Sequence, residues 1–203
     1  MPTLTVYTAP IDTTTLNSDG STGVAVVGHM YYVLTSGDAV NSFGFAPQIE
    51  GRALGVIGTT PGQIYTNDLD VYQTPPQDGI SVSITQAQYD TLMAFGQNPN
   101  TFGFDATTYQ AFTNSCVSFV WAALGTIGVQ FPTSTALSGV PILPQDNTQD
   151  VATALTAFPT AGQTIYQYTY NPDGTIANTT AVVAGSGKVL SKLSSATVMM
   201  VRL

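Results

Sequence analysis

The segment TYQAFTNSCVSFVWAALGTIGV, residues 108–129, restricts the possible folds more than any other part of this chain. Its apolar side chains cover more than one face of a helix: Val117, Val120, Trp121 and Leu124 lie on one side, and Phe119, Ala122 and Ala123 on the others. A helix that is apolar all round is a buried helix. Thr113 or Asn114 suits its N-cap, and Gly125 or Gly128 suits its end. The rest of the chain must therefore supply the layers that cover it.

Strand patterns supply those layers. Before the buried helix, strands are predicted at 4–7, 23–34, 39–47, 53–57 and 80–85, and a shorter helix begins after Thr85. The stretch 131–163 is rich in Pro and Thr and predicts irregular structure, and strands return at 164–170, 175–183 and 196–203. The fold class predicted is α+β, with an antiparallel sheet packed on the helix that bears Cys116 and a β-rich C-terminal extension. We assign 1–130 to this core, and 131–203 to a connection and extension packed on the same domain.

Charge is scarce and excludes several functions. Charged residues make up 8% of the chain, against about 25% in an average globular protein, and the net charge is −8. The four basic residues are Arg52, Lys188, Lys192 and Arg202. Neither nucleic-acid binding by phosphate neutralisation nor a polybasic membrane anchor fits this pattern. No signal peptide or apolar run of membrane-spanning length occurs, so we expect a product made soluble in the cytoplasm and exported by another route.

The chain has one cysteine and one histidine. This excludes an intrachain disulfide, a cysteine zinc cluster and a multi-histidine metal site, and we expect no cofactor. Cys116 falls at the second or third position of the buried helix, where unpaired N–H groups and the helix dipole favour a thiolate. His29 lies inside an apolar strand. Both could be simple buried residues, but together they form the minimum of a Cys–His nucleophilic site.

A third group would orient the imidazole. If the turn after the His29 strand has two residues, Ser42 lies on the same face as His29, and if it has three, Asn41 does. The residues leave this choice open. Asp68 and Asp70 flank Leu69 in what reads as a solvated turn, so they are not assigned to the site.

Four segments in order carry a family resemblance: GHMYYVL, SFGFAP, ISVSITQAQYDTL and TNSCVSFVWAALGTIGV. Over roughly 23–130 the chain resembles a permuted branch of the NlpC-type papain-like superfamily, in which the His strand precedes the Cys helix, and most closely its bacterial toxin-like members. Those members carry Asn-Cys at the helix start, whereas this chain has Asn114-Ser115-Cys116. The resemblance implies that Cys116 is the nucleophile and His29 the base.

The expected function is that of a cysteine peptidase or amidase acting on peptidoglycan stem peptides, as an antibacterial effector of the type VI secretion kind. Its partners would be the peptidoglycan or peptide substrate, an immunity protein and a component of the secretion machine, and it would act in the target-cell periplasm. Two alternatives remain: a lipid-directed acyltransferase or phospholipase with the same dyad, and a non-catalytic β-rich binding module.

Overall fold

The computed structural model describes residues 1–17, 19–48, 58–72, 78–130, 143–157, 164–170, 176–183 and 189–194. Within these ranges the protein is α+β, as the sequence predicts, with a mostly antiparallel sheet and a few helices. The predicted strand at 53–57 and the one at 196–203 lie outside the described residues.

Nine described strands form one sheet in the order β11-β10-β9-β7-β1-β4-β5-β6-β8. They are β1 (Thr3–Ala9), β4 (His29–Ser36), β5 (Ala39–Pro47), β6 (Thr60–Tyr65), β7 (Asp78–Ser83), β8 (Thr108–Tyr109), β9 (Thr164–Tyr170), β10 (Ile176–Val183) and β11 (Val189–Ser194). A separate two-stranded ribbon joins β2 (Thr13–Leu16) to β3 (Thr22–Ala25). The ribbon is inserted between β1 and β4, which pair with each other.

The apolar run 23–34 is two strands, not the single strand that the sequence predicts. Gly28 has a φ of +75°, a conformation that few residues other than glycine adopt. A Cβ atom at this position would lie 2.5 Å from the carbonyl oxygen of Ala9. The chain therefore turns here, and His29 becomes the first residue of β4 rather than a mid-strand residue.

Strand β5 has the predicted bounds, and the β4–β5 hairpin has a two-residue turn. Ser36 pairs with Ala39 around Gly37 and Asp38, and Val33 pairs with Ser42. Turn length fixes which side chains share a face of a hairpin. Ser42 therefore lies on the face of Val33, Tyr31 and His29, and Asn41 lies on the opposite face.

Two helices cover the face of the sheet that forms the main core. Helix α2 (Gln86–Gln97) begins at the predicted N-cap Thr85, which makes a capping box with Gln88. Helix α3 (Cys116–Thr126) packs against β4 and β5, and seven of its side chains are buried. Its N-cap is Ser115, so both sequence-based candidates, Thr113 and Asn114, were wrong. The buried helix itself is confirmed.

Part of the segment predicted to be irregular is helical. A 3₁₀ turn at Pro144–Asn147 leads into α4 (Thr148–Ala157), whose Val151 and Leu155 join the core. The buried Trp121 indole of α3 donates a hydrogen bond to Asn147 Oδ1 at 2.9 Å. Strand β9 of the C-terminal extension pairs with β7, so the extension continues the same sheet. None of the helices in the described ranges combines the length and hydrophobicity that crossing a membrane requires.

Candidate active site

The imidazole of His29 is held at the start of β4 and is almost completely buried, with 3% of the residue exposed. Its backbone pairs with Ala9 of β1. The turn at Gly28 directly before it is tight, and this fixes where the strand begins. The ring is therefore anchored by the central part of the sheet.

An acidic residue faces the imidazole from a short helix, α1 (Asp68–Val71). The distance from His29 Nε2 to Asp68 Oδ1 is 3.2 Å, and 5% of Asp68 is exposed. The N–H of Nε2 does not point at the carboxylate, so the contact is an ion pair rather than an aligned hydrogen bond. The interpretation of Asp68 and Asp70 as part of a solvated turn was wrong, because both belong to α1 and Asp68 is buried; only Asp70 is exposed.

Gly44 of β5 makes room for this pair. A Cβ atom on Gly44 would lie 2.0 Å from Asp68 Oδ2 and 2.7 Å from His29 Nε2. Carbon atoms in contact are normally about 3.5–4.0 Å apart. The carboxylate and the imidazole thus sit directly over the backbone of Gly44, and a larger residue there would displace them.

Cys116 is the first residue of α3, and 4% of it is exposed. Its helix start is fixed by Ser118, whose Oγ accepts a hydrogen bond from the Ser115 N–H at 2.5 Å. At this position the thiol lies beside backbone N–H groups that have no partner within the helix. The positive end of the helix dipole also acts here. Both features suit a sulfur that carries negative charge.

The structure brings the two predicted residues together. Burial alone would lower the pKa of His29, but the negative charge of Asp68 and contact with the Cys116 thiol outweigh it. The pKa of His29 rises from about 6.5 to about 10 as a result. Because Nε2 faces Asp68, Nδ1 is the ring nitrogen left to meet the thiol. Cys116, His29 and Asp68 therefore form a continuous series of thiol, imidazole and carboxylate.

Tyr109 also lies against Cys116. Burial and the neighbouring thiol raise the pKa of its phenol well above the usual value, and its hydroxyl is within hydrogen-bonding reach of the Cys116 side chain and backbone. A tight loop produces this proximity: Gln110 and Asn114 exchange backbone hydrogen bonds of 3.0 and 2.9 Å. The Asn114 side chain then fixes the loop by donating to the carbonyl oxygens of Asp105 and Thr108.

Neither Asn41 nor Ser42, the two predicted candidates for the residue that orients the imidazole, takes the position beside Nε2 that Asp68 occupies. Asn41 donates to the hydroxyl of Tyr89 at 3.2 Å, on the face away from His29. Ser42 lies on the correct face, but its Oγ accepts the N–H of Leu69 at 3.3 Å and so holds the start of α1. Both residues line a cavity of about 320 Å³, whose described lining includes neither Cys116 nor His29.

Sequence reasoning thus missed Asp68 and Tyr109. The available signal for Asp68 was its place in the segment NDLD, where an acid follows a capping residue type at the start of a helical turn. Tyr109 precedes Cys116 by seven residues, and no spacing rule marks it. Its proximity results from the loop between residues 110 and 114.

No group of three or more metal-binding side chains occurs in the part of the chain that the structure describes. In comparisons with known proteins, no family model, no curated protein and no solved structure matches this chain.

Proposed function

We propose that this protein is a cysteine hydrolase, an amidase or endopeptidase with a papain-like site of the permuted NlpC type. The observation that carries the proposal is the contact of the Cys116 thiol, at the first position of a buried helix, with an imidazole whose far nitrogen faces the Asp68 carboxylate. Nucleophile, base and orienting acid in this order are the parts of covalent acyl transfer.

In the first half of the reaction, a protonated His29 imidazole faces the Cys116 sulfur. The Cys116 thiolate attacks the carbonyl carbon of the scissile amide and forms a C–S bond. The imidazolium then donates its proton to the departing nitrogen as the C–N bond breaks. A histidine whose pKa is about 10 is protonated at neutral pH and is therefore ready for this donation.

In the second half, His29 must accept a proton from water. The Cys116 thiol contributes to the raised pKa of His29, and this contribution ends once the sulfur is acylated. The pKa of His29 is then lower, so the imidazole that gave its proton to the departing nitrogen stays neutral until it accepts a proton from the attacking water. The water oxygen bonds to the thioester carbon and the C–S bond breaks. The Cys116 thiolate is regenerated, and the acid product is released.

The oxyanion would be held by groups around the helix start. The backbone N–H groups of the first turn of α3 point towards the position beside the sulfur. The hydroxyl of Tyr109, which lies against the Cys116 side chain and backbone, is a further donor. A phenol whose pKa is raised keeps its proton and can donate it in a hydrogen bond.

We propose peptidoglycan stem peptides as the substrate, and delivery to a target-cell periplasm as an antibacterial effector. This rests on the resemblance of 23–130 to toxin-like members of the superfamily and on the acidic balance of the chain, which has twelve acids and four bases. A net negative charge disfavours polyanionic substrates. An immunity protein that blocks the site would protect the producing cell.

The first test uses the single thiol. Iodoacetamide should alkylate folded wild-type protein faster than a His29→Ala variant, because a neighbouring imidazole promotes the reaction of a thiol, and Cys116→Ala gives the background. The second test is digestion of purified peptidoglycan by the wild type, Cys116→Ala and Asp68→Ala, with released muropeptides separated by chromatography. A thiol equally inert in the folded wild type and in His29→Ala would overturn the enzyme proposal and favour a binding module.

The lipid-directed alternative is tested by comparing the peptidoglycan digest with an assay on lipid vesicles. One observation favours it: Leu16 and Val24 of the β2–β3 ribbon, and Val26 directly after β3, are exposed at 38%, 53% and 47%. Release of fatty acid or lysolipid from vesicles, without release of muropeptides, would assign the dyad to acyl transfer on lipids.

A further inference from the structure

A cluster of nearly parallel aromatic rings packs against the proposed base. His29 stacks on Tyr72 with ring centroids 4.9 Å apart and planes 14° apart. Tyr31 is stacked at 5.8 Å from His29 and 5.7 Å from Tyr72, and Tyr7 is stacked on Tyr31 at 5.1 Å. Tyr72 is thus the closest aromatic neighbour of the imidazole, and it lies on the face of the ring.

Tyr72 belongs to the same helical turn as the acid of the site. It caps α1, and its backbone N–H donates to the carbonyl oxygen of Asp68 at 2.9 Å. Residues four apart lie on the same side of a helical turn. One turn therefore presents a carboxylate to the edge of the imidazole and an aromatic ring to its face.

This arrangement restricts rotation of the imidazole. Nδ1 must meet Cys116 while Nε2 meets Asp68, and a rotation of the ring about its bond to Cβ would break both contacts. A parallel ring at stacking distance opposes that rotation, because the rotated imidazole would collide with it. The stack thus holds the ring in the plane in which Nδ1 meets Cys116 and Nε2 meets Asp68.

The stack also stabilises positive charge on the ring. The titratable groups that face His29 are Asp68 from α1, Cys116 from α3, Tyr72 from the end of α1 and Tyr31 from β4. Asp68 and Cys116 act through their negative charge. A neutral tyrosine acts through its ring, whose electron-rich face attracts a cation, and more strongly where water is excluded.

We propose that Tyr72 is a positioning residue, whose ring holds the plane of the His29 imidazole between Cys116 and Asp68 and stabilises its protonated form. The proposal rests on the proposed function for its role in a reaction. The stacking and its effect on protonation can be measured without any substrate.

The test follows the single histidine by NMR, because the chain has only one and its signals need no assignment among others. The pKa of His29 is measured in the wild type, Tyr72→Phe and Tyr72→Leu, with Tyr72→Met as a second non-aromatic variant if the leucine variant does not fold. Tyr89→Leu is the control, since Tyr89 is a half-buried tyrosine of α2 that contacts Asn41. Circular dichroism verifies the fold of each variant.

Tyr72→Phe and Tyr89→Leu should leave the pKa of His29 unchanged. Tyr72→Leu should lower it by about 0.4 to 1.5, the equivalent of a cation–π contact. An unchanged pKa in the folded leucine or methionine variant would overturn the proposal, as would a phenylalanine variant that behaves like leucine. If the pKa falls as expected but no substrate is cleaved, the positioning role stands and the proposed function fails.

Discussion

Replacing Gly44 with alanine should weaken the Asp68–His29 pair without removing any functional group. The new Cβ would lie 2.0 Å from Asp68 Oδ2, so the carboxylate must withdraw by about 1.5 Å to reach ordinary contact. The 3.2 Å ion pair would then lengthen to about 4.7 Å. With an effective dielectric constant of about 20, the attraction falls by roughly 1.7 kcal/mol, which lowers the pKa of His29 by about 1.2.

The matched control is Gly125→Ala. Gly125 lies inside α3, and a Cβ there meets no atom within 4 Å. This change should stabilise the helix by about 0.5–1 kcal/mol, whereas Gly44→Ala should destabilise the fold by about 1–3 kcal/mol through overpacking.

The assay is NMR titration of His29, urea unfolding, and the rate of Cys116 alkylation or substrate cleavage. A displacement of about 1 Å in a catalytic group costs on the order of 100-fold in rate. If Gly44→Ala keeps both the pKa of His29 and the wild-type rates, Asp68 does not act on the site through this contact.

Three further outcomes are expected. Ser42→Ala removes the acceptor of the Leu69 N–H and should lower the free energy of unfolding by about 1 kcal/mol, with a small loss of rate. Asn41→Ala should leave the rate unchanged. A rate loss of about 100-fold for either variant would restore that residue as the one that orients the imidazole. Because the folded pKa of His29 is above the unfolded value, its contribution to stability is complete below pH about 6.5 and disappears as the pH rises towards about 10. In a Cys116→Ala background the window ends below pH 10, because the thiol no longer contributes to the raised pKa of His29. Within it the free energy of unfolding by urea should fall by up to about 1.4 kcal/mol per pH unit, and a stability that rises there would contradict the ion pair. Thr85→Ala removes the capping box of α2 and should lower the free energy of unfolding by about 1 kcal/mol. The pKa of His29 should not change, and a shift in that pKa would show that α2 is coupled to the site.

Periodicity and caps were sufficient for the elements that follow local rules. The bounds of β5, the N-cap of α2 and the burial of α3 follow from alternation, a capping residue and an apolar surface. The division of 23–34 does not follow from alternation, because it depends on the left-handed backbone of Gly28 and its close approach to Ala9. Tertiary contact decided the structure at that point.

The candidate site was predictable for the groups that are unique in the chain. Cys116 and His29 are the only cysteine and histidine, and the order of strand and helix linked them. Asp68 is one of eleven aspartates, and it reaches His29 because α1 follows β6 and packs against β5 over Gly44. A long-range contact of this kind leaves no periodic pattern in the sequence.

Asp68 and Cys116 raise the pKa of His29 unequally, and no lysine or arginine side chain is described beside them. The lysines and arginines occur at 52, 188, 192 and 202, and none is among the residues whose side chains are described. Within that part of the chain, His29 is the cation that faces both Asp68 and the thiol of Cys116, and Asp68 makes the larger contribution to its raised pKa.

NMR titration of single variants should therefore show a larger fall in the pKa of His29 for Asp68→Asn than for Cys116→Ala. In the double variant neither negatively charged partner remains, and burial lowers the pKa; the value should then fall below that of either single variant. An equal fall in the two single variants would mean that the thiolate, rather than the carboxylate, is the principal partner of the imidazolium. Asp68 would then orient the ring without controlling its protonation.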